Sequence, residues 1–401
     1  MPSPNRPPRS RAVRAWLDWF VLAWIALPLT AAETVSPSNS GNRLSLRLEI
    51  QNAMDKGLAW MESQQRSQGH WSNPEHPALT GLALVALHSD PDSNRVARAT
   101  RRPILERGYA FLLSCAQSNG GIYVDKKLVN YNTSVSLMAL LLSGNPQHEP
   151  VLRRARRFLA SNQNDFGDSG TVDDSLDGGF GYGDGSKHGD AVNTLHALEA
   201  LHHSRRLLQD QPSSELKDLN WTAAIQFLQT CQHLPGTNAQ TWVSGDPANR
   251  GGFIYSPTES KAGEMTLPQG KVALRAYASI SYAGMLSYIY AGLTPDDSRV
   301  QAVLDWAKQN YTLQENPGMG PQGLYFYFHT MAKALRAAGV DRLETPDGKR
   351  HDWRQDLSLR LFDLQKPDGR WENDNGRWWE KDPVLSTSYS LIALGLIHRT
   401  L

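Results

Sequence analysis

The sequence repeats itself. Six times between residues 56 and 371 an amphipathic stretch carrying an aromatic residue leads through a turn to Gly-x-aromatic, and an apolar stretch follows. The copies read "KGLAWMESQQRSQGHW" from Lys56, "RGYAFLLSCAQSNGGIY" from Arg107, and "RARRFLASNQNDFG" from Arg154, which reaches its "GGF" at Gly178. They continue with "AAIQFLQTCQHLPG" from Ala223, reaching "GGF" at Gly251, "VLDWAKQNYTLQENPGMGPQGLY" from Val303, and "LSLRLFDLQKPDGRW" from Leu357. Successive triplets lie roughly 46 to 73 residues apart, so the loops vary while the unit persists.

The second half of each unit is as consistent as the first. "ALTGLALVAL" (78–87), "TSVSLMALLL" (133–142), "DAVNTLHALEAL" (190–201), "SYAGMLSYIYAGL" (281–293), "FHTMAKALRAAG" (328–339) and "STSYSLIALGLI" (386–397) carry almost no charge. A helix that is apolar on nearly all sides belongs inside, whereas the first halves carry Arg, Lys and Glu on one side and belong outside. Six outer and six inner helices predict an all-α fold, an α/α toroid (α6/α6 barrel) of six helical hairpins. Each aromatic residue after the glycine is expected to fill the wedge between neighbouring hairpins, reached through a turn that glycine permits. Gln65, Gln117, Gln163, Gln232 and Gln365 stand near the ends of the outer helices, where carbonyls lack partners.

The chain of 401 residues has 40% apolar residues and can bury a large core; its formal net charge of +1 gives no reason to expect a nucleic-acid partner. Arg6, Arg9, Arg11 and Arg14 precede "WFVLAWIALPL" and "TAAE", a series that reads as a secretory signal peptide over 1–32 with cleavage after Ala32. The domain reading is therefore a signal peptide over 1–32, a flexible linker over 33–49 and the toroid over 50–401. The apolar run is short for a membrane span, so no stable transmembrane segment is expected after cleavage; an uncleaved anchor is the alternative. Both place the folded part outside the cytoplasm. Cys115 and Cys231 occupy equivalent positions on outer helices a whole unit apart, too far for a disulfide, which predicts two free thiols.

With these residues in view, the chain resembles the repeat family shared by squalene and oxidosqualene cyclases and by the β subunits of protein prenyltransferases. "KGLAWMESQQRSQGHW" and "LFDLQKPDGRW" are similar to the cyclases' QW motif, and the resemblance covers about residues 50–401. It implies a toroid whose funnel takes isoprenoid chains or other apolar ligands. It does not carry over the chemistry. At the start of the last inner stretch, where the cyclases have D-x-D-D-T-A, this chain has Pro383, Val384, Leu385, Ser386 and Thr387; in the third unit "KHGDA" keeps only Asp190. Neither cysteine is on an inner helix, so the prenyltransferases' Asp-x-Cys and His zinc pattern is missing, and no metal or cofactor is expected. The Gly-Cys-Gly-Glu-Gln of thioester domains is absent too.

Polar residues on inner helices, mostly near their starts, are the remaining site candidates. Tyr131, Asn132, Tyr277, Ser281, Tyr282, Tyr327, His329 and Tyr389 are candidate ligand-binding residues, with Ser386 beside them. Asp190, His188, Asp173 and Asp174 are candidate catalytic residues; Asp190 also suits a helix N-cap and His188 a solvated loop. Trp378 and Trp379 in "ENDNGRWWEKD" look exposed, fit to bind a partner or to pack over the funnel mouth. Two other readings stay open. One is a carbohydrate-active toroid using a carboxylate pair drawn from Asp173, Asp174, Asp190 and Glu264; the other is a non-catalytic scaffold that displays its loops. An aromatic, accessible cavity is the expected lining. Oligomeric state is not legible.

Overall fold

The computed structural model describes residues 37–91, 95–209 and 218–401; the segment 1–32, read above as a signal peptide, lies outside them. Among the described residues the chain forms twelve α-helices that alternate in character. The odd-numbered ones are α1 (Pro37–Ser63), α3 (Arg95–Ser114), α5 (Glu149–Ser161), α7 (Trp221–Thr230), α9 (Ser298–Gln309) and α11 (Trp353–Leu364). The even-numbered ones are α2 (Pro77–His88), α4 (Val129–Leu142), α6 (Ala191–His203), α8 (Ala278–Tyr290), α10 (Leu324–Ala337) and α12 (Pro383–His398). Two short antiparallel hairpins, Glu264–Thr266 with Val272–Leu274 and Leu343–Glu344 with Arg350–His351, and short 3-10 helices such as Pro146–His148 and Arg377–Trp379 lie between the α-helices.

The chain's patterning explains the alternation. In α5 the buried residues Leu152, Ala155, Arg156 and Leu159 recur at three- and four-residue steps, which makes one apolar face. In α12 burial is almost continuous from Val384 to Gly395, so that helix has no solvent face. Each even helix packs on the next, α2 on α4 through to α10 on α12, and α12 packs on α2. The first helix starts at Pro37, so 37–49, expected as linker, is helical; residues 43–49 contain no Gly or Pro.

Several turns between odd and even helices make similar contacts. Trp71 and Trp371 are fully buried, and their Nε1 groups donate to Met61 O (2.7 Å) and Leu361 O (2.8 Å). Their backbone amides donate to Thr80 and Thr387 on the following even helices; Phe180 donates to Thr194 and Phe253 to Ser281 in the same way. The glycine two residues earlier touches the next odd helix. A Cβ on Gly369, at φ +97°, would stand 2.4 Å from Lys56 O. The glutamines complete the clasp: Gln65 Nε2 bridges Gly69 O and Ile104 O, Gln163 bridges Gly178 O and Asn220 O, and Gln232 bridges Gly251 O and Arg299 O. Gln365 bridges Gly369 O to Ala53 O, both at 2.9 Å, and so ties the last unit to the first.

Two units depart from the expected layout. In the second, fully buried Ile122 takes the place of an aromatic ring and donates its amide to Thr133, with Tyr123 beside it. In the fifth, Gly323 and Tyr325 belong to the start of α10 and not to a turn; the link onward is Arg360 Nε to Leu313 O, 3.0 Å. Cys115 and Cys231 are buried and free, and burial pushes both thiols up. Among the described residues no helix is long and apolar enough to cross a membrane.

Candidate functional site

A cavity of about 420 Å³ lies among the N-terminal ends of the even helices. Rings wall it: Tyr131 on α4, Phe326 on α10, Tyr389 on α12, and Tyr182, Tyr255 and Tyr277 from the segments leading into α6 and α8. Trp378 and Trp379 sit at its edge, 40% and 45% exposed, which marks the mouth. Both have left-handed backbone, φ 55° and 65°, a costly conformation for bulky residues. Surrounding bonds hold it: Asn373 reaches across the loop to Glu380 through N–H to O (3.0 Å) and Nδ2 to Oε2 (2.6 Å). Gly323 lets Trp378 lie close, since a Cβ there would be 2.9 Å from the indole. His76 packs against Trp379, ring centroids 4.5 Å apart and tilted by 43°.

Helix starts offer free amides and a positive dipole end, so an anion site is the default expectation here. The chain fills those positions itself. Asn132 Oδ1 accepts from Ala78 N at the start of α2, Asn316 Oδ1 from Ser279 N on α8, and Glu380 Oε1 from Phe326 N on α10. In each case the cap comes from the following unit. Asp190 and Asp382 cap their own helices, α6 and α12. Burial pushes the Glu380 carboxyl up, and its bonds to Asn373 and the α10 amides only partly bring it back.

Deeper in, the floor is polar. His196 is on α6 one turn beyond Asn193 and meets Tyr131 edge-on at 4.8 Å. Below it, Glu199 on α6 and Lys333 on α10 form a buried ion pair, with Tyr290 OH 3.3 Å from Glu199. Burial alone would push Glu199 up; Lys333 and the nearby His203 and His196 bring it down to about 2. Burial holds His196 down at about 4 and His203 at about 3, and takes His329 well below its ordinary value.

Of the ligand-binding candidates, Tyr131, Tyr277 and Tyr389 line the cavity. Asn132 and Ser281 are fully buried in the clasps and caps described above. Tyr327 donates to Thr312 O (2.7 Å), Tyr282 is buried beside it, and His329 lies behind Tyr389 at 4.9 Å. Ser386 donates to Glu380 O.

The catalytic candidates separate. Asp190 is fully buried: Oδ1 accepts from Val192 N and Asn193 N, and Oδ2 from His188 Nε2 (2.8 Å) and Asn193 Nδ2 (2.7 Å). His188 stacks on Tyr182 at 4.5 Å, so this pair backs the cavity wall. Burial, aided by the Asp190 carboxylate, pushes Tyr255 and Tyr277 up. Asp173 accepts from Asp168 N and Asp174 pairs with Lys187, both in the loop away from the lining. Glu264 is exposed in a surface hairpin. Sequence reasoning missed His76, Asn193, His196, Lys261 and Glu380, all in the lining. Asn193, His196 and Glu199 recur every three residues on one otherwise apolar helix, a stripe that was there to be read.

Among the described residues no group of three or more His, Cys, Asp or Glu is placed to hold a metal ion. No protein-family model and no curated protein matches this sequence. Solved structures do match. The apo type II terpene cyclase MstE from Scytonema superimposes with a TM-score of 0.51 at 12% identity, over 88% of this chain and 99% of that one. A variant of that cyclase in complex with its substrate, geranylgeranyl dihydroxybenzoate, gives 0.51 at 11% identity, over 89% of this chain and 100% of that one. The chain therefore has an all-α, terpene-cyclase-like fold.

Proposed function

We propose that residues 50–401 form an α6/α6 toroid of six helical hairpins that binds an isoprenoid or similar apolar ligand in its central cavity. The observation that carries this reading is the cavity, about 420 Å³ with an aromatic wall and an exposed tryptophan mouth. Ring closure is supported by the cyclic order of contacts among the even helices and by the Gln365 clasp onto Ala53. The ligand class is supported by the likeness to a cyclase whose complex holds a geranylgeranyl compound. The resemblance to the squalene cyclase and prenyltransferase repeats belongs to the same proposal, as does export through the segment 1–32, for which a mature N-terminus at Glu33 is expected.

We assign no reaction. The D-x-D-D acids and the zinc pattern are missing, and Asp190, the remaining acid of the first motif, is occupied as a cap. The carbohydrate reading needs two facing carboxylates, whereas Glu380 is the single carboxylate in the described lining. Native mass spectrometry of the exported protein, with melting measured across an isoprenoid panel, tests the proposal. A co-purifying lipid, or a melting temperature raised by prenyl chains, is the expected result. Finding neither would overturn it.

A further inference from the structure

The cavity is not uniformly apolar, and its polar atoms are short of partners. Asn193 Oδ1 and His196 Nε2 have no hydrogen-bond partner, although both residues are only 5% exposed and both line the cavity. Such atoms are costly when left bare, so a cavity keeping two of them next to each other is built to receive something that bonds to them. Their positions on α6 place them at its deep end, because Asn193 lies one turn and His196 two turns below the capping Asp190, roughly 9 Å down at 1.5 Å per residue. Phe326, Tyr131 and Tyr389 surround that end, and the mouth carries the two tryptophans.

The charge of the missing group follows from what lines the space. Asn193 Oδ1 is an acceptor and calls for a donor, while a neutral imidazole offers one donor and one acceptor nitrogen. Burial holds His196 at about 4, so near neutrality it is uncharged. An anionic head would find little support: caps from Asn132, Asp190, Asn316, Glu380 and Asp382 occupy the starts of five even helices, and at the start of α4, which has no side-chain cap, Asn130 N donates to Tyr182 O. Lys261, the single cation of the described lining, is paired with Glu259 and lies over the Tyr255 ring. A bare hydrocarbon would leave these two atoms unmet, as well as His76 Nδ1 at the mouth.

We propose that the ligand enters head-first and that its head is an uncharged hydroxyl, alcohol or phenol, bonded to Asn193 and His196, with the isoprenoid tail running out along the rings towards Trp378 and Trp379. This rests on the isoprenoid reading above and adds the head group and the orientation to it.

The test compares three probes of one chain length: a prenyl alcohol, the matching prenyl hydrocarbon and the matching prenyl diphosphate. Affinities are measured for the full folded chain, for His196→Phe and for Asn193→Leu, each first checked by melting. The alcohol should bind at least about tenfold more tightly than either other probe. His196→Phe should reduce that margin to within about twofold while leaving hydrocarbon affinity unchanged or improved. Asn193 also donates to Asp190, so His196→Phe, whose ring has no recorded hydrogen bond to lose, is the decisive variant if Asn193→Leu fails to fold. Equal affinity for alcohol and hydrocarbon, tightest binding by the diphosphate, or a preference that survives His196→Phe would each overturn the head-group assignment while leaving the isoprenoid reading standing. Binding of none of the three would overturn both.

Discussion

The two ends of the even-numbered helices are made of similar residues and reach opposite states. Their N-terminal halves surround open space, with rings pointing across it and the caps of α2, α8 and α10 supplied by the following unit. Their C-terminal halves are bridged by a buried ion pair, in which Glu199 of α6 meets Lys333 of α10, two helices that are not neighbours in the packing order. A single helix shows the change: Asn193 and His196 border the cavity, and three residues on, Glu199 is locked in an ion pair. Long charged chains crossing the middle close one half, while rings that stop short of it leave the other open. The comparison predicts that the closed half carries stability and the open half carries binding.

Acid should give the largest effect, because it attacks the buried ion pair of the closed half together with the buried histidines around it, His196 on the cavity floor included. His196, His203 and His329 have folded values below 6.5, and Glu199 one below 4.5, so the unfolded chain binds more protons than the folded one. The stability they confer is complete above about pH 6.5 and is lost as pH falls, through about 4 and 3 for His196 and His203 and finally about 2 for Glu199. Denaturation measured from pH 8 to 4 should show a steep decline below 6.5; a flat profile would break the contrast between the halves.

Next comes Glu199→Leu, which leaves the Lys333 ammonium buried without its partner and should cost about 3–5 kcal/mol. Adding Lys333→Met should recover most of that loss, since an apolar pair needs no desolvated charge. If the single and double variants are equally unstable in urea, the pair is not what holds the closed half.

Gly369→Ala probes the clasp that supports both halves. With φ +97° and a Cβ 2.4 Å from Lys56 O, it should cost about 2–3 kcal/mol and leave relative affinities among ligands unchanged. The smallest stability change should come at the mouth. Trp379→Gly removes an exposed ring and relieves a left-handed backbone, so stability should move by less than about 1 kcal/mol while prenyl affinity falls about tenfold. An unstable Trp379→Gly with intact binding would reverse the assignment of the halves.

Part of the packing was legible because similar residues stand in several of the turns. In the last turn each residue does one geometric job: Gly369 touches Lys56, Gln365 reaches Ala53, and Trp371 seals the turn, whereas Gln117 bonds within its own turn to Cys115 O and Tyr123 O. The cavity was not readable in the same way because it is the part that does not repeat. Glu380 becomes a wall residue by capping Phe326, 54 positions earlier, and no local pattern announces that bond. Asn132 and Ser281 look like ligand groups on apolar helices, yet their side chains are spent on backbone amides. The aromatic position differs from the reading in the second stretch, where Ile122 takes the buried place, and in the fifth, where Tyr325 continues a helix, because a Gly-x-aromatic triplet does not itself say where the turn ends.

Photo-crosslinking tests the central claim most directly. A prenyl alcohol carrying a diazirine, irradiated with the folded chain and mapped by peptide mass spectrometry, should label the segments around Tyr131, Asn193 to His196, Phe326 and Trp378 to Tyr389, and excess unmodified prenol should suppress it. Labelling confined to the outer cleft formed by His88, Tyr109 and His148, or scattered over the odd-numbered helices, would contradict the account.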